Sequence, residues 1–166
     1  MSSRIQNGRK PAREREYGQA IIEVSLLAPW ILFLFVGVLD FGFYSHALIS
    51  TENAARVAAL YAASNGSLSG DARGACQYVL QEMRSMPNVT SQTSCPSSCF
   101  GSCTAGPLTV TVRALDGAGG RPLGVDGGPA TEVAVRYETV GLIPIPGIMA
   151  KQLSMTRVVQ MRVIED

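Results

Sequence analysis

The sequence predicts an α+β protein in which one long N-terminal transmembrane helix continues into a small exported domain with a second helix and a three-stranded antiparallel sheet. Three observations lead to this prediction. An apolar run follows a basic N-terminus, an alanine-rich stretch without a helix breaker follows that run, and segments with period-two alternation occupy the last third of the chain. With 166 residues, the chain has room for one such domain behind an anchor.

The N-terminal segment is basic. Residues 1–18 carry five arginine or lysine residues against two glutamates, although the formal net charge of the chain is only +1. This excess of positive charge predicts that residues 1–18 are a cytoplasmic leader. It does not predict nucleic-acid binding, which requires basic residues clustered on a folded face.

The transmembrane segment is assigned to residues 19–43. No charged residue lies between Val24 and Leu39, and about 20 predominantly apolar residues cross the hydrocarbon core of a bilayer. A cleaved secretory signal is the competing interpretation. It would end in small residues, whereas this run ends in aromatic ones, Phe41, Phe43 and Tyr44.

Polar or irregular residues interrupt this helix at a few positions. Pro29 lacks an N–H and crowds the preceding turn, which predicts a kink near Ser25 or Leu26. Asp40 is expected near the outer end of the span, where its carboxylate either reaches water or pairs with another subunit. His46, the only histidine, is expected to be exposed or interfacial rather than a ligand or a base.

The exported domain, residues 44–166, is predicted to begin with the continuation of the same helix up to Asn65-Gly66, because alanine-rich sequence favours helix. A serine- and glycine-rich linker follows. Asp71 is the predicted N-cap of a second helix, which Pro87 ends. The apolar positions of that helix recur every three or four residues: Ala75, Tyr78, Val79, Met83 and Met86.

Strands are predicted in the rest of the domain. Residues 88–107 form a polar loop, and residues 108–114 and 133–139 alternate as half-buried strands do. The glycine-rich stretch between these strands predicts a hairpin connection and fits no phosphate-binding motif. After a loop with Pro144 and Pro146, a last strand is expected from Leu153 to Ile164.

The cysteines all follow the span, so we expect them in an oxidising compartment and in disulfides. Four cysteines allow three fully paired connectivities, among which the sequence does not choose. A zinc site is the alternative, but Pro96 and Gly101 oppose the helix that would bring three thiols together, and no histidine lies nearby. The candidate disulfide residues are Cys76, Cys95, Cys99 and Cys103.

The sequence does not indicate a catalytic site or a further metal site. No acid–base pair, nucleophile with a base, or set of metal ligands can be assembled from it. We therefore expect a protein that is not an enzyme and that binds no cofactor or metal.

The segment that joins the leader to the apolar helix, Gly18-Gln19-Ala20-Ile21-Ile22-Glu23, resembles the processing site of type IV prepilins. In that family a membrane-embedded prepilin peptidase cuts after the glycine, and a glutamate is the fifth residue of the mature chain. The resemblance implies cleavage between Gly18 and Gln19 and a role in subunit assembly for Glu23. A carboxylate at the start of a membrane helix is costly to bury unless it is paired, and a new α-amino group at Gln19 of a neighbouring subunit would pair with it. The alternative is that Glu23 lies at headgroup depth, reaches outward and needs no partner.

The flanking sequence is similar to that of TadE-like pseudopilins of the tight-adherence (Tad/Flp) pilus systems over roughly residues 17–63. The similar features are Glu23-x5-Pro29, the run from Trp30 to Val38, Leu39-Asp40-Phe41-Gly42 and the alanine-rich stretch 53–63. One departure is Val24, where many members have phenylalanine; it puts the efficiency of processing in question.

This resemblance implies a minor pilin or pseudopilin of the bacterial inner membrane, single-pass, with its N-terminus in the cytoplasm and its C-terminal domain periplasmic or extracellular. The implied partners are the prepilin peptidase, other pilin or pseudopilin subunits, the Tad assembly platform and membrane lipid, with no nucleic acid. The alternative is an uncleaved bitopic envelope protein with a small exported binding domain that never enters a filament.

Overall fold

The structure, a computed structural model, describes residues 13–92, 94–140 and 152–164, with side chains from Gly18 onward. The chain divides into two compact units, the first ending at Gly42 and the second beginning at Phe43. The predicted loop with Pro144 and Pro146 lies outside the described residues.

Helix α1, Arg13–Ala63, provides all the described secondary structure of the first unit and the first element of the second. In the first unit its large apolar side chains are exposed, among them Ile21 at 66% and Trp30 at 69%. A surface of this kind is stable where lipid or other apolar helices cover it. In the part of the chain that the structure describes, this is the one helix long and apolar enough to cross a membrane, which is compatible with single-pass anchoring.

In the second unit, α1 presents small side chains to the core. Five alanines of this stretch are completely buried, and because a methyl group takes little space, the helix backbone approaches its neighbours closely. The helix ends before Asn65-Gly66, as predicted, and a short 3₁₀ turn, Gly66–Leu68, follows. The buried alanines are Ala54, Ala55, Ala58, Ala59 and Ala62.

Helix α2, Ala72–Glu82, begins at the predicted N-cap. The Asp71 carboxylate accepts hydrogen bonds from the backbone N–H groups of Arg73 and Gly74, both at 3.1 Å. A 3₁₀ turn, Met83–Ser85, extends the helix towards Pro87. Of the regularly spaced apolar positions, Tyr78 does not lie in the core: it is 42% exposed, and its ring packs on that of Tyr61, with centroids 4.8 Å apart.

The sheet has four antiparallel strands in the order β1-β2-β3-β4. The prediction of three strands is wrong because β1, Ser102–Ala105, lies inside the stretch that was predicted to be a loop. The sequence pattern does not indicate this strand, because four residues contain only two alternating pairs. Glycine at position 106, with φ +58°, allows the tight turn into the next strand. The other strands are β2 (Leu108–Leu115), β3 (Ala130–Glu138) and β4 (Ser154–Arg162).

The core of the second unit lies between the helices and one face of the sheet. Cross-strand neighbours Leu108, Tyr137 and Met155 form one buried row, and Val112 and Val133 face each other in another. The opposite face carries mostly threonine, serine and charged side chains and is buried only at one end, at Leu115 and Ala130, so most of the sheet is covered on one side only.

Two disulfides, Cys76–Cys95 and Cys99–Cys103, fix the segment between α2 and β2. The first joins α2 to the segment that leads into β1, and the second closes a short loop. The expectation that residues 88–107 are too polar to bury is wrong in part, since Val89 is 0% exposed and the disulfide sulfurs belong to the core cluster or pack against it.

Candidate processing and assembly site

The residues of the predicted cleavage site lie on α1. Gly18, Gln19 and Glu23 are all exposed, and the helix is continuous from Arg13 through each of them. Glu23 follows Gln19 by four residues, so the two lie on the same face of the helix, with Cβ atoms about 5–6 Å apart. A positively charged α-amino group on Gln19 would therefore lie on the same face of the helix as Glu23. Because this face is exposed, the group would also be open to neighbouring chains.

The bond between Gly18 and Gln19 has helical backbone conformation. A protease cleaves a peptide bond that has opened locally, so the helix must unwind here before cleavage. Glycine lowers the cost of that opening, because it is less favourable in a helix than alanine by about 1 kcal/mol. A Cβ atom added at Gly18 would meet nothing within 4 Å, so a side chain at this position fits the fold.

The distance of Glu23 from the helix N-terminus depends on where the helix begins. In the uncut chain Glu23 lies well inside α1, far from the partial positive charge of the helix N-terminus. In a chain that starts at Gln19, the same carboxylate would lie within the first turn or so, where a negative charge is stabilised by about 0.3–1 kcal/mol.

Ser25 and Pro29 form a local irregularity in the apolar part of α1. Pro29 has no N–H to donate to the carbonyl of Ser25, and the Ser25 hydroxyl donates a separate hydrogen bond to the carbonyl of Ile21 at 2.7 Å. Sequence reasoning treated Ser25 only as the place of a kink and missed this hydrogen bond. The kink itself stays a prediction.

Asp40 and His46 differ in exposure. Asp40 is 6% exposed, and among the described residues it is the one charged side chain in the buried class, whereas the sequence placed it in water or against another subunit. His46 is exposed, as predicted, and it lines an apolar pocket of about 220 Å³ together with Tyr44, Met86 and Tyr137. The hydroxyl of Tyr137 donates to Asn88 Oδ1 at 2.6 Å, and burial raises the pKa of that tyrosine.

An ionic cluster ties α1 to the edge strand β4. Glu52 accepts from Arg56 one turn later at 3.0 Å, and Arg157 Nε lies 3.5 Å from the other carboxylate oxygen. The contact between Arg157 and Glu52 could not be predicted from local sequence, because the two residues are far apart in the chain. All three side chains are partly exposed, so the cluster orients the helix more than it stabilises it.

A second polar cluster joins the end of α1 to the start of α2. The Tyr61 hydroxyl donates to Asp71 Oδ2 at 2.8 Å, and this hydrogen bond, followed by partial burial, raises the pKa of Tyr61 to about 12. The backbone N–H of Gly74 lowers the pKa of the Asp71 carboxyl below its ordinary value. The cluster fixes the angle at which the chain turns between the two helices.

The four candidate cysteines are used in the two disulfides, so one of the three possible connectivities is realised. Over the ranges 13–92, 94–140 and 152–164, no group of three or more histidine, cysteine or acidic side chains is placed to hold a metal ion. The predicted site residues therefore form two groups. The predicted cleavage site and Glu23 lie on α1, and the cysteines lie in the second unit.

Comparison with known proteins concerns the predicted cleavage site and Glu23. Residues 18–60 match the family described as TadE-like protein. The matched stretch begins at Gly18 and includes Glu23, Pro29 and the part of α1 that enters the second unit. No curated protein and no solved structure matches the chain significantly. Residues 18–60 are thus similar to the TadE-like family, and this similarity is consistent with a pilin-like protein associated with the Tad pilus.

Proposed function

We propose that this protein is a minor pilin or pseudopilin of a Tad/Flp-type pilus, whose leader is removed after Gly18 and which contributes to pilus assembly or surface adhesion. The observation that carries the proposal is the TadE-like match, which begins at Gly18 and covers the whole apolar part of α1. The placement of Gly18, Gln19 and Glu23 on one exposed stretch of helix supports it.

The mechanism of assembly follows from electrostatics. Cleavage creates a cation at Gln19 and places Glu23 near the new helix N-terminus. In a bundle of parallel helices, the carboxylate of one subunit neutralises the α-amino group of the next, which offsets the cost of burying either charge in an apolar environment. The exposed apolar side chains of the first unit then pack against neighbouring helices in place of lipid.

The topology that accompanies this function follows the distribution of charge. The basic leader stays in the cytoplasm, α1 spans the bacterial inner membrane once, and the second unit lies in the periplasm or outside the cell. The partners are the prepilin peptidase, other pilin or pseudopilin subunits, the Tad assembly platform and lipid. The role is structural rather than enzymatic.

The first experiment is the intact mass and N-terminal sequence of the membrane-extracted protein, produced with and without the prepilin peptidase of its host. We expect a chain that starts at Gln19 only when the peptidase is present. Gly18→Ala should block cleavage, and Gly37→Ala is the matched control, because an added Cβ meets nothing within 4 Å at either position. A full-length chain under both conditions would leave the uncleaved bitopic anchor as the better account.

A second experiment separates filament assembly from anchoring. Glu23→Gln keeps the size of the side chain and removes its charge. For a pilus subunit we expect normal membrane insertion and loss of the protein from the sheared pilus fraction and from complexes with other subunits. Equal recovery of the variant and the native protein in those fractions would contradict an assembly role for Glu23.

A further inference from the structure

Part of the edge of β2 has no neighbouring strand. β1 pairs with the first half of β2 alone, and the last hydrogen bond on this side runs from Val112 N–H to Gly101 O at 2.8 Å. The next element along the edge is a bridge between Asp116 and Leu123. The three positions from 113 to 115 therefore lie open between Gly101 and Leu123.

The open positions include free hydrogen-bonding groups. In an antiparallel sheet, alternate residues direct their N–H and C=O groups towards opposite neighbours. Val112 bonds on the β1 side, so Ala114 directs its groups to the same side. These groups have no backbone partner there among the described residues. The edge can accept one extended residue opposite Ala114 by two hydrogen bonds.

A groove of about 580 Å³ lies over this edge. Its volume is within the range of about 300–1,000 Å³ that is typical of ligand sites. The floor is the second half of β2, and the walls come from the disulfide loop and from the connection between β2 and β3. Residues that line it include Gly101, Arg113, Ala114, Arg121, Leu123 and Val125.

Two fully exposed apolar side chains belong to the loops that form these walls. Phe100 is 95% exposed and Val125 is 92% exposed, the highest values among the large apolar side chains that the structure describes. Phe100 lies within the Cys99–Cys103 disulfide loop, and Val125 lies in a turn that the Gly127 N–H closes on the Gly124 carbonyl. Because both loops are constrained, their backbone loses little conformational entropy when a partner covers these side chains.

Arg113 and Glu132, which both line the groove, face each other across the β2–β3 pair without an ion pair between them. Arg121 is paired with Asp116 at 3.2 Å, and Glu132 accepts a hydrogen bond from the Gln160 amide at 2.7 Å. Arg113 lines the groove and forms no ion pair within the described part of the chain. Arg113 is therefore the positively charged lining residue that can pair with a carboxylate of a ligand.

We propose that this groove binds an extended peptide segment of a partner protein, which adds a short strand to the edge of β2. The peptide backbone bonds to Ala114, an acidic side chain meets Arg113, and an apolar side chain covers Phe100 or Val125. An extended peptide fits better than a compact ligand because the site offers a strand edge with a donor and an acceptor in register. The inference concerns the second unit alone and holds whether or not the leader is removed.

The groove and the start of the second unit lie at opposite ends of the strands. The chain enters the second unit at Phe43, beside the end of the sheet where Leu108 faces Tyr137. The groove lies at the other end of the same strands, where Leu115 faces Ala130. Within the second unit, the groove and Phe43 are thus separated by the length of the strands.

The test uses the isotope-labelled full-length protein in detergent micelles and a capped pentapeptide of alternating valine and glutamate. We expect saturable shifts of the Ala114 amide signal and slower hydrogen exchange at that amide. The same peptide with lysine in place of glutamate should bind roughly tenfold more weakly, since a charge-assisted contact is lost. An ester in place of the central amide removes one backbone donor and should weaken binding as well.

Variants assign the contacts. Arg113→Gln should weaken binding of the glutamate peptide roughly tenfold. Arg136→Gln is the matched control, because Arg136 lies on the same face of the sheet and is paired with Glu138 at 3.3 Å. Phe100→Ser should weaken binding without unfolding the protein, since this side chain has almost no contacts to lose. Absence of saturable shifts at Ala114 up to millimolar peptide, equal binding of the glutamate and lysine peptides, or equal losses for Arg113→Gln and Arg136→Gln would overturn the proposal.

Discussion

Replacement of Asp71 by alanine tests how α2 is attached to α1. The native carboxylate accepts the backbone N–H groups of Arg73 and Gly74 at 3.1 Å and the Tyr61 hydroxyl at 2.8 Å. Loss of an aspartate N-cap costs about 1 kcal/mol. Loss of the hydrogen bond from Tyr61 costs about 1 kcal/mol more, as for a typical hydrogen bond, because partial exposure of the tyrosine weakens the contribution of the charged acceptor. We expect the free energy of unfolding of the second unit to fall by about 2 kcal/mol.

The assay is urea unfolding of the full-length protein in detergent micelles, with both disulfides intact, followed by near-ultraviolet circular dichroism. Asp71→Asn is the control, because asparagine caps a helix as well as aspartate does, and it should lose clearly less than Asp71→Ala. The reasoning would be refuted if the alanine variant lost under about 0.5 kcal/mol, or if the asparagine variant lost as much as the alanine variant.

The same cluster predicts a dependence on pH. The pKa of Asp71 is lowered by folding, so its stabilising contribution is present above about pH 4 and is lost as the pH falls through the lowered value. The pKa of Tyr61 is raised to about 12, so its contribution is present below about pH 10 and is lost as the pH rises towards 12. An ultraviolet titration of tyrosinate should show late-ionising tyrosines, because the pKa of Tyr137 is also raised, and in Asp71→Ala one of them should ionise at lower pH.

Two further predictions concern the disulfides and the core. Replacing both Cys76 and Cys95 by serine should cost about 3 kcal/mol from the loop of 19 residues alone, against about 2 kcal/mol for Cys99 and Cys103, separated by 4 residues. Urea midpoints of the two double variants give the order, and the opposite order would contradict the loop-length argument. Met83→Ala should cost about 2–5 kcal/mol in the same assay, because this side chain is 0% exposed, and a loss below 1 kcal/mol would mean that α2 packs less tightly than described.

Local sequence was sufficient for the features that depend on a few neighbouring residues. The apolar run, the N-cap at Asp71 and the alternation of residues 108–114 predicted α1, the start of α2 and most of β2. Each of these signals comes from side chains within one or two turns of helix or along one strand, and the physics of burial and capping acts at that range. The resemblance around Gly18 and Glu23 was of the same local kind, and residues 18–60 match the TadE-like family.

Tertiary structure alone decided the features that join distant parts of the chain. β1 becomes a strand because β2 supplies its hydrogen bonds, and four residues carry too short a pattern to reveal it. Tyr78 faces outward because Tyr61 of another helix provides its contact. The pairing of Cys76 with Cys95, the contact of Arg157 with Glu52 and the open edge beside Ala114 likewise depend on which elements meet. The sequence by itself determined most of the helices and strands and the similarity of residues 18–60 to the TadE-like family. Their packing decided the sites between them, because long-range contacts form only once the chain has folded.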